Sequence, residues 1–382
     1  MGKKTPKPAG AFDVVVVGDH PSAAFAAALL VKKSVKHVGL ILLAGNVPDD
    51  RLVTLNPALF ALSPILTPLQ AAIPAEPVHG ITFLSNEPGV RGEHRVDAPV
   101  ISVAKYTDVR SAFAGLADVP GIETIRGGEL VIHSVDAAGI ALAVGRRSIH
   151  TSAMIFARPP DTAAGAALGM PDHWDAEVLR RFTILKCKTE KHLRLPRPRT
   201  MPMSLDVGSS LAWGRLLIGG GGMMLAVDEP VTDAAPSSGR KLLAGWVEVL
   251  KRHALLDESF DYPADSPLSV DLPLAGALVR EGVASRSLMI GPAGGFYSQC
   301  GEEIYPGCWS AVFAVDTMVK ALKDPHLQDG LQPYRQKWPV TLGEYLRGPQ
   351  QNLRFLLPMV YRNAAMTARM AEAILLSKPV VR

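Results

Sequence analysis

Two glycine-bearing turns hold the residues with the clearest chemical potential. The first is Gly18-Asp19-His20-Pro21-Ser22-Ala23. The second is Gly291-Pro292-Ala293-Gly294-Gly295-Phe296, followed by Gly301-Glu302-Glu303-Ile304. Each turn comes directly after an apolar run, Val14-Val15-Val16-Val17 in one case and Leu288-Met289-Ile290 in the other. A turn that leads a buried strand into a helix aims backbone N–H groups and the positive end of the helix at one spot. That arrangement suits a pyrophosphate.

Other candidates carry less specific signals. Cys300 and Cys308 bracket the second loop, either as a redox pair or as two buried thiols of a reducing compartment. Three cysteines and the scattered His133, His150, His173 and His192 offer no metal-ligand spacing, and no Gly-x-Ser-x-Gly elbow or P-loop is present. Gly219-Gly220-Gly221-Gly222 reads as the turn of a hairpin. A sharper reading places Trp213, Met223 and Met224 beside it in an apolar pocket.

The elements that must position these groups follow from pattern. Residues 12–17 and 38–43 are continuous apolar runs of the kind found in strands buried on both faces. Between them, residues 23–33 are small, apolar and strongly helical. Strand, tight turn, helix and strand make a βαβ unit with a parallel sheet. Residues 46–77 are punctuated by proline, with a helical piece near 57–66. Strands are expected at 81–84 and 96–103, a helix at 107–117, and a three-stranded meander over 129–157. Further strands are expected at 182–192, 204–211 and 214–227, with a helix at 239–250. A strand at 287–290, a helix at 309–322 and Arg- and Met-rich helices over 342–376 complete the chain. The fold class is therefore α/β, a Rossmann-type lobe with a mostly antiparallel second lobe.

Composition agrees with this. The 382 residues are 48% apolar and 20% charged, which excludes intrinsic disorder and allows two lobes. Thirty-four glycines and 31 prolines exceed the usual shares of about 7% and 5%. A net charge of +4 is too small to mark a nucleic-acid binder. Basic residues cluster in the amino-terminal tail and over 186–199, as solvated faces or as contacts for phosphate or lipid headgroups. No apolar run approaches a membrane span, and the run at 14–17 is too short for a secretory signal, so a cytoplasmic protein is expected.

The order of these motifs resembles the FAD-dependent monooxygenase and geranylgeranyl-reductase superfamily. In that family the first turn is G-x-G-x-x-G, and a later strand ends in G-D-A-A-G before a G-E-G-I loop and a long helix. Residues 288–296 and Gly301-Glu302-Glu303-Ile304 are similar to that second block. Met154-Ile155-Phe156-Ala157-Arg158-Pro159 resembles the family strand ending in A-D-G. The resemblance implies an FAD-binding-like lobe over 11–75, 101–165 and 280–325, a substrate lobe over 76–100 and 166–279, and closing helices over 326–382. It implies cofactor contacts from Gly18, His20, Ser22, Ala23, Asn46, Gly291, Pro292, Gly301, Glu302 and Ile304. Lys105 or Arg110 resembles the family's arginine near the pyrophosphate. Phe296 and Tyr297 fall where the family presents its flavin to substrate.

The chain departs from the family at five cofactor positions. His20 replaces the glycine that admits the pyrophosphate, and a positive φ there would add strain on the order of 1 kcal/mol. Asn46 stands where an acidic residue should accept from the ribose hydroxyls. Pro292 and Arg158 replace two aspartates, and Glu303 replaces the second glycine of G-E-G-I. Two functions follow. One is an FAD-dependent oxidoreductase of the monooxygenase or prenyl-reductase type, reduced by NAD(P)H and acting on an apolar small molecule. The other is a flavin-free relative that keeps the fold as a ligand-binding or accessory protein beside a partner flavoenzyme. A third reading is membrane-surface association through the basic tail and the closing helices.

Overall fold

The computed structural model describes residues 11–43, 50–170, 174–197, 199–208, 212–231, 238–273, 282–298, 300–347, 353–378 and 380. Its first sheet is built on five parallel strands in the order Ser287–Met289, Arg147–Phe156, Ala11–Val17, Val38–Leu42 and Ile122–Arg126. The expected βαβ unit is present: Ala11–Val17, helix Pro21–Lys32 and Val38–Leu42. The helix is apolar almost all round because it is covered on two sides, by the sheet and by helix Ile304–Ala321. Its alanines let both approach closely. The meander forms as expected, with Leu130–Val135 and Ile140–Val144 pairing antiparallel onto Arg147–Phe156.

The second sheet has seven strands, antiparallel except where Met201–Val207 runs parallel to Gly80–Leu84. At its centre, Ala212–Gly219 and Gly222–Pro230 form the hairpin that the four glycines predict. Strands Leu179–Cys187 and Leu268–Pro273 extend it to one edge. Side chains alternate between faces along each strand. One face packs Leu216, Leu225 and Val227 under helix Ser238–Arg252, whose Leu243, Trp246, Val247 and Leu250 recur at helical spacing. Helix Ala364–Leu376 instead packs around Gly80–Leu84 and Arg91–Arg95. A small antiparallel sheet of Leu52–Leu55, Ile101–Lys105 and Ala75–Val78 lies between the two.

Three expected boundaries are corrected. The strand placed at 96–103 begins only at Ile101, as Ile101–Lys105, because residues 97–99 (Asp-Ala-Pro) interrupt the pairing, and the unexpected strand Arg91–Arg95 precedes it. The helix expected from Trp309 begins five residues earlier, at Ile304, and accommodates Pro306 in its first turn. The helix expected over 107–117 is Tyr106–Ala114 with a short 3-10 continuation.

The covered face of the second sheet is closely packed at Gly214. A Cβ there would lie 2.6 Å from Trp246 Cδ2 and 2.9 Å from Val207 Cγ2. The indole is fully buried and tied by its N–H to the Arg215 carbonyl at 3.1 Å, so it cannot retreat without losing that bond. Gly214→Ala is expected to destabilise the protein by about 1–3 kcal/mol, measured as a shift in the urea midpoint.

Candidate functional site

The first turn leads from strand Ala11–Val17 to helix Pro21–Lys32, with His20 as N-cap. His20 has φ −66°, so the strain expected for a positive φ is absent. Its ring turns inward and is 4% exposed. Nδ1 accepts from the Ser22 N–H at 3.2 Å and lies 2.7 Å from Ser22 Oγ, which places the ring proton on Nε2. Nε2 is buried without a hydrogen-bond partner, 3.9 Å from Glu303 Oε2. Burial lowers the imidazole pKa to about 4, and the nearby Glu303 only partly opposes the shift. Ser22 is itself fully buried, so Ser22, His20 and Glu303 do not form an accessible nucleophilic triad.

The ring lies between the two turns and the start of helix Ile304–Ala321. A Cβ on Gly307 would be 2.8 Å from His20 Cε1, and one on Gly291 would be 3.2 Å from Nδ1. Both turns therefore converge as expected, with a side chain between them. Several of their backbone donors are also committed. Pro21 has no N–H, Ser22 N–H goes to the His20 ring, and Ala23 N–H goes to the His20 carbonyl. In the second turn Gly291 N–H donates to Ser310 Oγ, Gly295 N–H to the Pro292 carbonyl, and Phe296 N–H to the Gly291 carbonyl. Gly301 N–H goes to the Ser298 carbonyl and Glu302 N–H to Ser298 Oγ.

The start of helix Ile304–Ala321 is occupied in the same way. Glu303 stands at the N-cap position, where a helix favours negative charge. Its Oε1 accepts from Arg51 Nη2 at 2.5 Å, and the Arg51 guanidinium lies over the Tyr106 ring at 3.6 Å. Burial alone would lower the Arg51 pKa, but the Glu303 carboxylate holds it above its ordinary value.

Two cavities flank this plug. One, of about 530 Å³, lies at the carboxyl ends of Val38–Leu42 and Ile122–Arg126. It is lined by Asp19, His20, Leu40, Phe113, Arg110 and Arg126, with Arg110 3.5 Å from Asp19. The other, of about 450 Å³, lies on the uncovered face of the seven-stranded sheet. Its walls are mostly apolar, with Phe182, Ile184, Leu217 and Met224 on the sheet and Tyr297 on the second turn. Arg51, Arg215, Glu302 and Glu303 bring charge to its rim and floor. Glu302 Oε2 accepts from the Tyr345 hydroxyl, and burial raises the Glu302 pKa to about 7 against that bond.

The expected site residues thus separate. Gly18, His20, Ser22, Ala23, Gly291 and Pro292 meet around the first crevice, with Arg110 at its outer cavity. Gly301 and Glu302 line the second cavity. Ile304 is fully buried in the main core, and Lys105 packs its methylenes on Gly220 of the hairpin rather than near the first turn. Asn46 lies outside the described residues. In the proposed apolar pocket Met224 contributes, whereas Met223 faces helix Ser238–Arg252 and Trp213, though in the same core cluster as Met224, does not line the cavity. Cys300 and Cys308 are unbridged thiols, and burial pushes the Cys300 pKa up to about 12, so neither resembles an activated redox cysteine. In the basic stretch 186–199, Lys186 pairs with Asp50, Arg194 with Asp257 and Arg199 with Glu190. Arg51, Tyr106, Arg215 and Gly307 escaped sequence reasoning, because nothing local distinguishes them from ordinary surface or helix residues.

No family model and no curated protein sequence matches this chain. Solved structures do. A geranylgeranyl bacteriochlorophyll reductase-like protein of Thermoplasma acidophilum is 12% identical, over 88% of this chain and 85% of its own, with a TM-score of 0.67. A flavin-dependent brominase is 13% identical over 96% and 93%, with a TM-score of 0.66. The p-nitrophenol 4-monooxygenase of Pseudomonas putida is 14% identical over 96% and 97%, with a TM-score of 0.62. The chain therefore has the fold of the FAD-dependent monooxygenases, halogenases and geranylgeranyl-reductase-like proteins, as its motif order suggests. FAD is the cofactor which that fold implies. The residues of this crevice do not fit its pyrophosphate, because His20 fills the space, the N–H groups of Ser22, Ala23, Gly291, Gly295 and Phe296 are satisfied internally, and Glu303 supplies the negative charge at the helix start. Among the described residues no cluster of potential metal ligands occurs, and no helix is long and apolar enough to cross a membrane.

The two buried titrating groups have opposite signatures. Between pH 6.5 and 4 the unfolded chain protonates His20 while the native state does not, so His20 makes stability fall as pH drops. Glu302 acts in reverse: its contribution is present at low pH and is lost as pH rises through about 7. Thermal denaturation between pH 4 and 8 is expected to show His20→Gln losing less stability than wild type on acidification. Glu302→Gln is expected to gain relative to wild type at pH 8 compared with pH 5.

Proposed function

We propose that this chain uses the flavoprotein-monooxygenase fold as a flavin-free binding protein. In this reading the cavity of about 450 Å³ over the antiparallel sheet holds a largely apolar small molecule. The observation that carries the reading is the closure of the dinucleotide crevice. The imidazole of His20 takes the place of a phosphate, and the Ser22 and Ala23 N–H groups of the first turn are spent on His20 itself. The same turn residues still serve the fold, since they hold helix Pro21–Lys32, the second turn and helix Ile304–Ala321 together. Any redox step on the bound molecule then belongs to a partner flavoenzyme.

A second reading is favoured by the fold likeness and by the open cavity of about 530 Å³ where the nucleoside half of a dinucleotide would enter. It is an FAD-dependent oxidoreductase of the monooxygenase or prenyl-reductase type, with NAD(P)H as reductant. It requires the His20 ring to leave the crevice, which breaks both contacts to Ser22.

Flavin binding separates the two. Protein purified without added cofactor is expected to show no flavin absorption bands, and FAD titration no saturable quenching of flavin fluorescence. The neutral reporter N-phenyl-1-naphthylamine is expected to bind saturably. A yellow protein bleached by NADH or NADPH would overturn the binding-protein reading. In the combined variant His20→Gly with Pro292→Asp, which empties the crevice and restores an acid near the second turn, FAD affinity is expected to rise above that of wild type.

A further inference from the structure

The walls of the sheet cavity contain a cation with no ion-pair partner among the described residues. Arg215 projects from the central strand Ala212–Gly219 and is only 9% exposed. Across the sheet its register neighbours are Ala226 and Met203, and Asp228, two residues on from Ala226, is the polar group diagonal to it on that face. Its guanidinium lies 5.2 Å from the Phe182 ring centroid, and its Nε is buried without a hydrogen-bond partner. The carboxylates around the cavity each have one oxygen engaged: Asp228 Oδ2 is held by Arg180 at 2.6 Å, Glu303 by Arg51, and Glu302 by Tyr345. The buried Asp228 Oδ1 has no hydrogen-bond partner. Among the described residues Arg215 forms no ion pair. Arg51 adds a second unused donor, its buried Nη1, at the same cavity.

A buried guanidinium nitrogen without a hydrogen-bond partner is costly, and a guanidinium in a mostly apolar wall is suited to a planar acid. We infer that the molecule held in this cavity is an amphiphilic organic acid, its apolar body along Phe182, Leu217 and Met224 and its anionic group on Arg215. The inference rests on the cavity being a ligand site, as proposed above. Glu302 Oε1, a buried acceptor without a partner, gives the acid's O–H or N–H substituents a place to donate. The chemistry selects acids over alcohols of the same size and leaves the length of the apolar body to the volume of about 450 Å³.

The test uses the full chain with bound N-phenyl-1-naphthylamine, displaced by matched pairs: decanoate against 1-decanol, and 2-naphthoate against 2-naphthol. Each acid is expected to displace the reporter at a concentration about tenfold or more below that of its alcohol, the advantage of a charge-assisted bond to a buried arginine. Arg215→Gln is expected to reduce that preference to within about twofold while the neutral reporter still binds, and Arg215→Lys to keep part of it. Equal displacement by acid and alcohol in wild type would overturn the organic-acid inference and leave the ligand site standing. Failure of the reporter and of all four compounds to bind would overturn the ligand site and the inference together.

Discussion

Three pieces of backbone close on one side chain at the centre of this protein: the turn after the first strand, the turn after Ser287–Met289, and the first turn of helix Ile304–Ala321. The imidazole of His20 fills the space between them, and glycines at 291 and 307 are what allow the backbone so near the ring. Because the ring is buried it stays neutral, and because it is neutral it can accept from the Ser22 N–H rather than repel the positive end of the helix. The arrangement couples the βαβ unit to the last third of the chain. Protein groups carry that coupling, and on the reading proposed above they do so in place of a bound dinucleotide.

The charge pattern around the crevice is consistent with this substitution. A pyrophosphate brings negative charge to two helix starts. In this chain Glu303 provides it at one of them, and Arg51, stacked on Tyr106, neutralises it. The carboxylate therefore lies between a guanidinium, a helix start and a neutral imidazole, with no deficit left for a phosphate to correct. The cavity over the antiparallel sheet has the opposite character. Its apolar walls are complete, yet the polar atoms Arg215 Nε, Arg51 Nη1 and Glu302 Oε1 remain buried and unmatched. His20 Nε2 is the crevice's own unmatched donor, and the binding function proposed above rests on the three unmatched atoms of the second cavity.

Much of the scaffold was legible because it follows from local periodicity. Val14 to Val17 had to be a strand buried on both faces, the alanine-rich segment after Pro21 a helix between two layers, and Gly219 to Gly222 a hairpin turn. The departures at His20, Pro292 and Glu303 were visible as residue types in the wrong motif positions. Their consequence was not. A histidine at that position could equally have been a strained residue with positive φ or an exposed one. Only the neighbouring Ser22, Gly291 and Gly307 made it a buried N-cap. The helix start at Ile304 was likewise hidden, since Pro306 and Gly307 discourage a helix locally while packing on Pro21–Lys32 favours it.

The amino-acid sequence by itself determined the α/β scaffold, the order of its turns and the loss of the phosphate-binding residue types, because these depend on patterns a few residues long. The tertiary structure alone decided that His20 closes the crevice, that Arg51 meets Glu303 from 252 positions away, and that Arg215 is buried with no hydrogen-bond partner for its Nε. Burial and pairing are sums over neighbours brought together by folding, and most of those neighbours are distant along the chain.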